Sequence, residues 1–349
     1  MAEPTKPTSN PAASCAKPNY WDSQALNLYF TSTAQYSLDT LGATKYKKTA
    51  TAPHDFVTRL QDDLIALGYL NGTADGAFGP KTRRSVLRFQ RHAGRLIRMT
   101  KARAAQDVGS VTYKGRTDGV CDNKTAKEIR LWVEKAWVLP LGRFYLVTIN
   151  KGKLRNDVAK AWSRLVSMIK SKGGTIDGPY GDTTRPLTYR KSTGGNSLFS
   201  FHYTGRAIDL NQGLAGGRGQ RYFVVKENLE GEVYWRIYCK TVKQDGTQGT
   251  QILKSKKINY YSFYNKTEYS LPEGYYLDIT RLLQQSNFVR IKAHSNWQTN
   301  AKGMEWWHYH YNKDIQATFQ DEMELIGNTE ETLRRQGWDT DAKLDRKPG

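Results

Sequence analysis

Two short segments of the 349-residue chain carry residue types that perform chemistry. SFHYTGRAIDLN contains Ser200, His202, Gly205, Ala207 and Asp209, and GMEWWHYHY contains Glu305, His308 and His310. A catalytic zinc takes three nitrogen or carboxylate-oxygen ligands from a protein and keeps its fourth position open. His202, Asp209 and His308 supply such a set. An ion held there would ease proton loss from a bound water and polarise a scissile carbonyl. A carboxylate beside that water accepts the proton and passes it to the leaving amine. Glu305, just upstream of His308, is the candidate base.

The spacing sets a condition. On an ideal strand, positions three apart face opposite sides, so Glu305 and His308 converge only if the backbone bends, bulges or turns between them. His308 and His310 share a strand face. His310 is therefore the alternative ligand or a neighbour that supports the ligands, and Ser200 is assigned the same pair of roles.

The pattern S-x-H-x-x-G-x-A-x-D followed downstream by E-x-x-H is similar to that of the VanY-type D-alanyl-D-alanine carboxypeptidases, whose relatives include phage L-alanyl-D-glutamate endopeptidases. Both halves are complete here. The resemblance implies that His202, Asp209 and His308 bind zinc and that Glu305 is the base. In that family an arginine ahead of the first motif contacts substrate and the developing oxyanion. Tyr189-Arg190-Lys191 matches that context imperfectly, with Lys191 in place of a serine and a short spacing to His202. Arg190 is the residue to which the role carries over. A guanidinium suits it, because it stabilises negative charge that grows only in the transition state; a surface salt bridge is its structural alternative.

The elements that position these residues read as an α+β domain with an antiparallel sheet, preceded by a small three-helix all-α domain. Residues 1–50, rich in Pro, Ser, Thr, Ala and Lys, read as a leader or linker. Within 51–140, Phe56, Leu60, Leu64 and Leu67 share one helical face that stops at Gly68. A second helix carries Val86 and Phe89 inward, and a third carries Ile129, Trp132, Val133 and Ala136. Asp75-Gly76 precedes Lys81-Thr82 by the same offset as Asp118-Gly119 precedes Lys124-Thr125, so a tight turn leads into a helix twice. The text LQDDLIALGYLNG and ADGAFGPKTRRSVLRFQ resembles the three-helix peptidoglycan-binding domain, with the stretch from Gly94 to Arg116 as an insertion between its repeats.

Residues 141–328 form the expected peptidase domain. It opens with an amphipathic helix, with Val158, Trp162, Leu165 and Ile169 on one face and Gly173-Gly174 at its end. A β-rich insertion occupies about 213–300. There Val233, Trp235, Ile237 and Cys239 alternate with Tyr234, Arg236, Tyr238 and Lys240. It either shapes the substrate cleft, docks a partner or merely embellishes the domain. Residues 329–349 read as a charged C-terminal tail.

Composition bounds the function. The formal charge of +20 draws polyanions, including the anionic polymers of a cell wall. The run from Lys81 to Arg103 holds nine Lys or Arg and no acid, which reads as a solvated basic face or a polyanion contact. No helix-turn-helix, zinc-finger or RNA-recognition pattern accompanies the charge, which argues against specific nucleic-acid binding. Cys15, Cys121 and Cys239 are too scattered for a disulfide framework or a thiolate metal site. No run of apolar residues is long enough to span a membrane.

The N-terminus lacks the apolar core of a secretory signal, so the expectation is synthesis in the cytoplasm and action at the wall after lysis or dedicated secretion. The expected protein is a zinc peptidase on peptidoglycan stem peptides, an endolysin or a secreted antibacterial effector. Zinc is its cofactor and peptidoglycan its partner; for an effector, a secretion machine and an immunity protein join them. The alternative is a non-catalytic wall-binding protein with a structural metal site.

Overall fold

The computed structural model describes residues 53–95, 97–100, 105–107, 113–150, 152–180, 187, 197–216, 219–263 and 265–349. The expected leader at 1–50 lies outside them. Two compact units divide the chain, Met1–Arg143 and Phe144–Gly349.

In the first unit three helices, α1 (Pro53–Ala66), α2 (Pro80–Ala93) and α3 (Asn123–Glu134), enclose one core. Leu60, Leu64, Leu67, Val86, Phe89, Ile129 and Trp132 all lie in it, whereas Val133 is only partly buried against it. Each boundary has a local cause. Gly68 follows α1 in a left-handed conformation (φ +82°) that a β-carbon would strain. Pro80 opens α2, where a missing N–H costs nothing. Asp122 caps α3 by accepting from Thr125 N at 2.9 Å.

The repeated Asp-Gly turn is held the same way both times. The Gln61 amide donates to Asp75 Oδ1, Ala77 O and Thr82 Oγ1, and its oxygen accepts from Asp75 N and Gly76 N. The Gln90 amide donates to Val120 O and Thr125 Oγ1, while its oxygen accepts from Asp118 N and Gly119 N.

The unit is not all-α. Strands β1 (Ile97–Thr100), β2 (Ala105–Asp107) and β3 (Trp137–Val138) form a small antiparallel sheet in the order β2-β1-β3. Two strands lie in the expected insertion, and they are too short for alternation to declare them. The basic run is likewise not simply a solvated face. Arg83 donates to Asp118 O and Arg88 to Tyr69 O. Arg98 is buried, with its guanidinium 4.7 Å from the Trp132 ring and 5.6 Å from that of Trp137.

The second unit opens with the hairpin β4 (Leu146–Ile149) and β5 (Gly152–Arg155), then α4 (Asn156–Ser171). Val158, Trp162, Leu165 and Ile169 bury the expected face of α4. Next come β6 (Ala207–Asp209), β7 (Tyr222–Leu229), β8 (Glu232–Lys240), β9 (Thr250–Ile252), β10 (Asn259–Ser262), β11 (Thr267–Ser270), β12 (Gly274–Asp278), α5 (Ile279–Gln285), β13 (Phe288–Arg290) and β14 (His308–Tyr311). They form a three-stranded sheet β13-β14-β6, a four-stranded sheet β7-β8-β12-β9 and the β10-β11 pair.

The insertion is not an add-on. Trp235, Ile237, Cys239, Ile279 and Leu283 share one core with Trp162, Leu165 and Ile169 of α4. Among the described residues no helix is long and apolar enough to cross a membrane.

Residues 329–349 are no solvated tail. After α6 (Phe319–Leu325), helices α7 (Glu330–Arg335) and α8 (Asp341–Leu344) bring Leu333, Trp338 and Leu344 into a cluster with Phe199, Tyr203, Phe319 and Met323. Trp338 stacks on Phe319 at 5.2 Å, meets Tyr203 edge-on at 5.4 Å and donates its indole N–H to Leu198 O. Trp338→Ala is expected to cost about 3–5 kcal/mol, the usual range for emptying a buried aromatic site. Thermal or denaturant unfolding of that variant checks it; a transition unchanged from wild type would return 329–349 to the status of a tail.

Candidate metal centre

Register builds the centre. In the β6–β14 pair His308 stands opposite Asp209, Tyr309 opposite Ile208 and His310 opposite Ala207. Directly opposed residues share a face and successive residues alternate. Ile208 and Tyr309 therefore point into the core, where both are fully buried, and Asp209, His308 and His310 line the other face.

The third partner arrives from the turn ahead of β6. Ser200 Oγ accepts from His202 N at 3.3 Å, and Phe201 O accepts from the amides of Thr204, Arg206 and Ala207. Gly205, at φ +68°, is required by this turn. A β-carbon there would lie 2.7 Å from Arg155 N and 2.5 Å from Leu146 Cδ2.

His202 Nε2 lies 3.2 Å from His308 Nδ1, which lies 3.1 Å from Asp209 Oδ1; the third side, His202 to Asp209, is 3.6 Å. Three electron-rich atoms this close repel one another unless a proton or cation sits among them. A tetrahedral zinc with bonds of about 2.0–2.1 Å spaces its ligand atoms about 3.3–3.4 Å apart, which these separations bracket. The donor set fits the ion. Binding requires His202 to carry its proton on Nδ1 and His308 on Nε2.

His310 lies outside this triangle. Its ring stacks on Phe201, with centroids 4.5 Å apart. Burial, with the charges of His308 and Arg206, pushes its pKa down to about 3, so it is held neutral. Ser200 and His310 thus lie against the elements that carry the three candidate ligands.

Glu305 meets the condition set by its spacing. It follows the 3-10 turn Ala301–Met304, adopts a left-handed conformation (φ +53°), and accepts from His308 N through its carbonyl at 3.1 Å. The strand begins only at His308, so the chain turns between Glu305 and His308. Burial raises the Glu305 carboxyl above the usual carboxylate range; His308 opposes the shift, Asp209 adds to it and His294 opposes it. His294 Nε2 lies 3.5 Å from Glu305 Oε1.

The triangle and Glu305 line one cavity of about 1060 Å³, together with Phe263, His294, Asn296, Lys302 and Trp307. Trp306 is buried and stacks on Phe263 at 5.5 Å. Arg190 lies outside the described residues.

Two groups escaped the sequence reading. His294 belongs to no motif, and only the folded chain brings it to Glu305. Arg206 sits at an unassigned position inside the first motif. It donates to Glu322 Oε2 at 2.8 Å and to the carbonyls of Tyr311, Lys313 and Asp314, tying β6 to the end of β14.

Comparison with known proteins bears on the first unit. Residues 53–95 match the putative peptidoglycan binding domain family. The match spans α1, the Asp75-Gly76 turn and α2. The first unit thus carries a peptidoglycan-binding domain, which supports peptidoglycan as a partner. No curated protein and no solved structure matches the chain.

Calorimetric titration of zinc into chelator-stripped protein is expected to give one tight site per chain. His202→Ala, Asp209→Ala or His308→Ala should each weaken it by more than about a hundredfold, beyond the loss typical of a residue that merely orients a ligand. His310→Ala should keep the stoichiometry at one.

Proposed function

We propose that the second unit is a zinc-dependent peptidase that hydrolyses the stem peptides of peptidoglycan, with the first unit holding it to the wall. One observation carries this reading: Nε2 of His202, Nδ1 of His308 and Oδ1 of Asp209 converge at 3.1–3.6 Å on the wall of a cavity that Glu305 also lines. The peptidoglycan-binding domain supports the choice of substrate.

Zinc, when bound, supplies the Lewis acidity that activates water and polarises a peptide carbonyl. His202, Asp209 and His308 would hold the ion on the cavity wall. Glu305 takes the proton of the attacking water and delivers it to the leaving amine; its raised pKa brings it nearer the working range of a general base. The partly buried Trp307 and Phe263 give the cavity an apolar wall beside Glu305. By the resemblance to the VanY-type carboxypeptidases, Arg190 would take the charge that develops on the carbonyl oxygen.

A D-Ala-D-Ala carboxypeptidase and an L-Ala–D-Glu or other wall endopeptidase both use this machinery. Acting on a wall, either would be a lytic enzyme, such as an endolysin or a secreted antibacterial effector.

Mass spectrometry of digested sacculi tests the reading and identifies the bond cut. Wild-type protein should release D-alanine or stem-peptide fragments, and a chelator should abolish release. Glu305→Ala should lower turnover by about 10²–10⁴-fold, the usual contribution of a general base, with zinc still bound. A wild-type digest indistinguishable from the chelated one would leave a non-catalytic wall-binding protein.

A further inference from the structure

The long span between Asp209 and Glu305 ends in a loop that the proposed chemistry has not yet used. Residues 294–303 close on themselves. His294 N donates to Gly303 O at 2.7 Å, Trp297 N to His294 O, Thr299 N and Asn300 N to Asn296 O, and Gly303 N to Asn300 O. The Asn300 side chain accepts from Lys302 N. Gly303 is packed so closely that a β-carbon would lie 2.6 Å from Asn296 Oδ1 and 3.4 Å from His294 Cβ.

His294 therefore stands at one foot of the loop, and Glu305 just past the other. The loop is fastened to the β-rich insertion. Ala293 N donates to Val233 O at 2.8 Å, and the Trp297 ring sits 5.2 Å from Trp235 and 5.7 Å from Tyr261.

From this closure we infer that His294 is a positioning residue for Glu305: its Nε2–H is directed at Glu305 Oε1, which leaves the second carboxylate oxygen for the reacting water. The inference rests on the peptidase reading and assigns the insertion a task within it. Nε2 and Oε1 are 3.5 Å apart, longer than a normal hydrogen bond, and catalytic contacts of this kind commonly tighten when substrate binds. Both residues line the cavity. An otherwise uncommitted carboxylate on a left-handed residue has several rotamers open to it. A donor anchored on a closed loop selects one of them. Such a partner acts on the rate of the chemical step and leaves substrate binding alone.

The test uses the full zinc-loaded chain and two independent measurements. NMR of the imidazole nitrogens, with His294 assigned by the signals lost in His294→Gln, should show the His294 ring moving when Glu305→Gln is introduced. Ring signals that ignore Glu305→Gln overturn the pairing, whether or not the protein cuts peptidoglycan. On sacculi, His294→Ala should lower kcat about 10- to 100-fold, the range typical of residues that orient a reacting group. KM and bound zinc should stay unchanged, and His294→Gln, whose amide still donates, should recover most of the loss. A rise in KM with kcat intact, or no recovery with glutamine, overturns the positioning role. Chelator-insensitive digestion by the wild type would instead overturn the peptidase reading, and the ring signals would still decide the contact.

Discussion

Asp209 and His308 face one another across a single antiparallel pair, and everything proposed for the second unit depends on that register. Because side chains alternate along a strand, a slip of one residue would turn Asp209 or His308 into the core and bring Ile208 or Tyr309 out to the cavity. The core blocks that slip. Ile208 and Tyr309 are fully buried on the reverse face, and Tyr309 shares a hydrogen bond at 3.0 Å with Thr280, itself buried at the start of α5. The cavity-facing side is thus specified largely by the side buried in the core.

A buried ionic cluster fixes the outer end of the same strands. Glu322 of α6 accepts from Arg206 at 2.8 Å, from Arg155 at 3.0 Å and from Gln316 N at 2.6 Å, and Arg155 also grips Asp157 with two bonds. Removing such charges from water costs several kcal/mol per ion, so the cluster is a weak source of stability but a demanding geometric constraint. Every acceptor must be in place for it to exist. It joins β5, the residue before β6, the carbonyls after β14 and α6, which together frame the turn carrying His202.

The candidate centre was legible because motif spacing and strand pairing encode the same geometry. A histidine in a tight turn, an aspartate at a strand end and a histidine opposite it need only a β6–β14 pair to meet. The turn at Glu305 was legible only as a requirement, since nothing local announces a left-handed glutamate. His294 was not legible at all: its partnership arises from hydrogen bonds that close a loop, and those have no periodicity. Helices α7 and α8 were missed for a similar reason. Each is one or two turns long, and although Thr329 and Thr340 cap them, Leu333, Trp338 and Leu344 are too few and too widely spaced to trace an apolar stripe. In the first unit the Asp-Gly echo was visible, but not the glutamine one helix earlier that explains it.

Those two glutamines have a consequence for how the first unit tolerates change. Gln90 reaches Asp118 and Gly119 directly from α2, so the second turn is anchored to the helix itself. Neither turn relies on the connection between them, but that connection is itself built in: β1 pairs with β3, and Arg98 lies against the Trp132 ring. A change within this excursion would therefore be felt in the small sheet and at Arg98, while both Asp-Gly turns keep their glutamines.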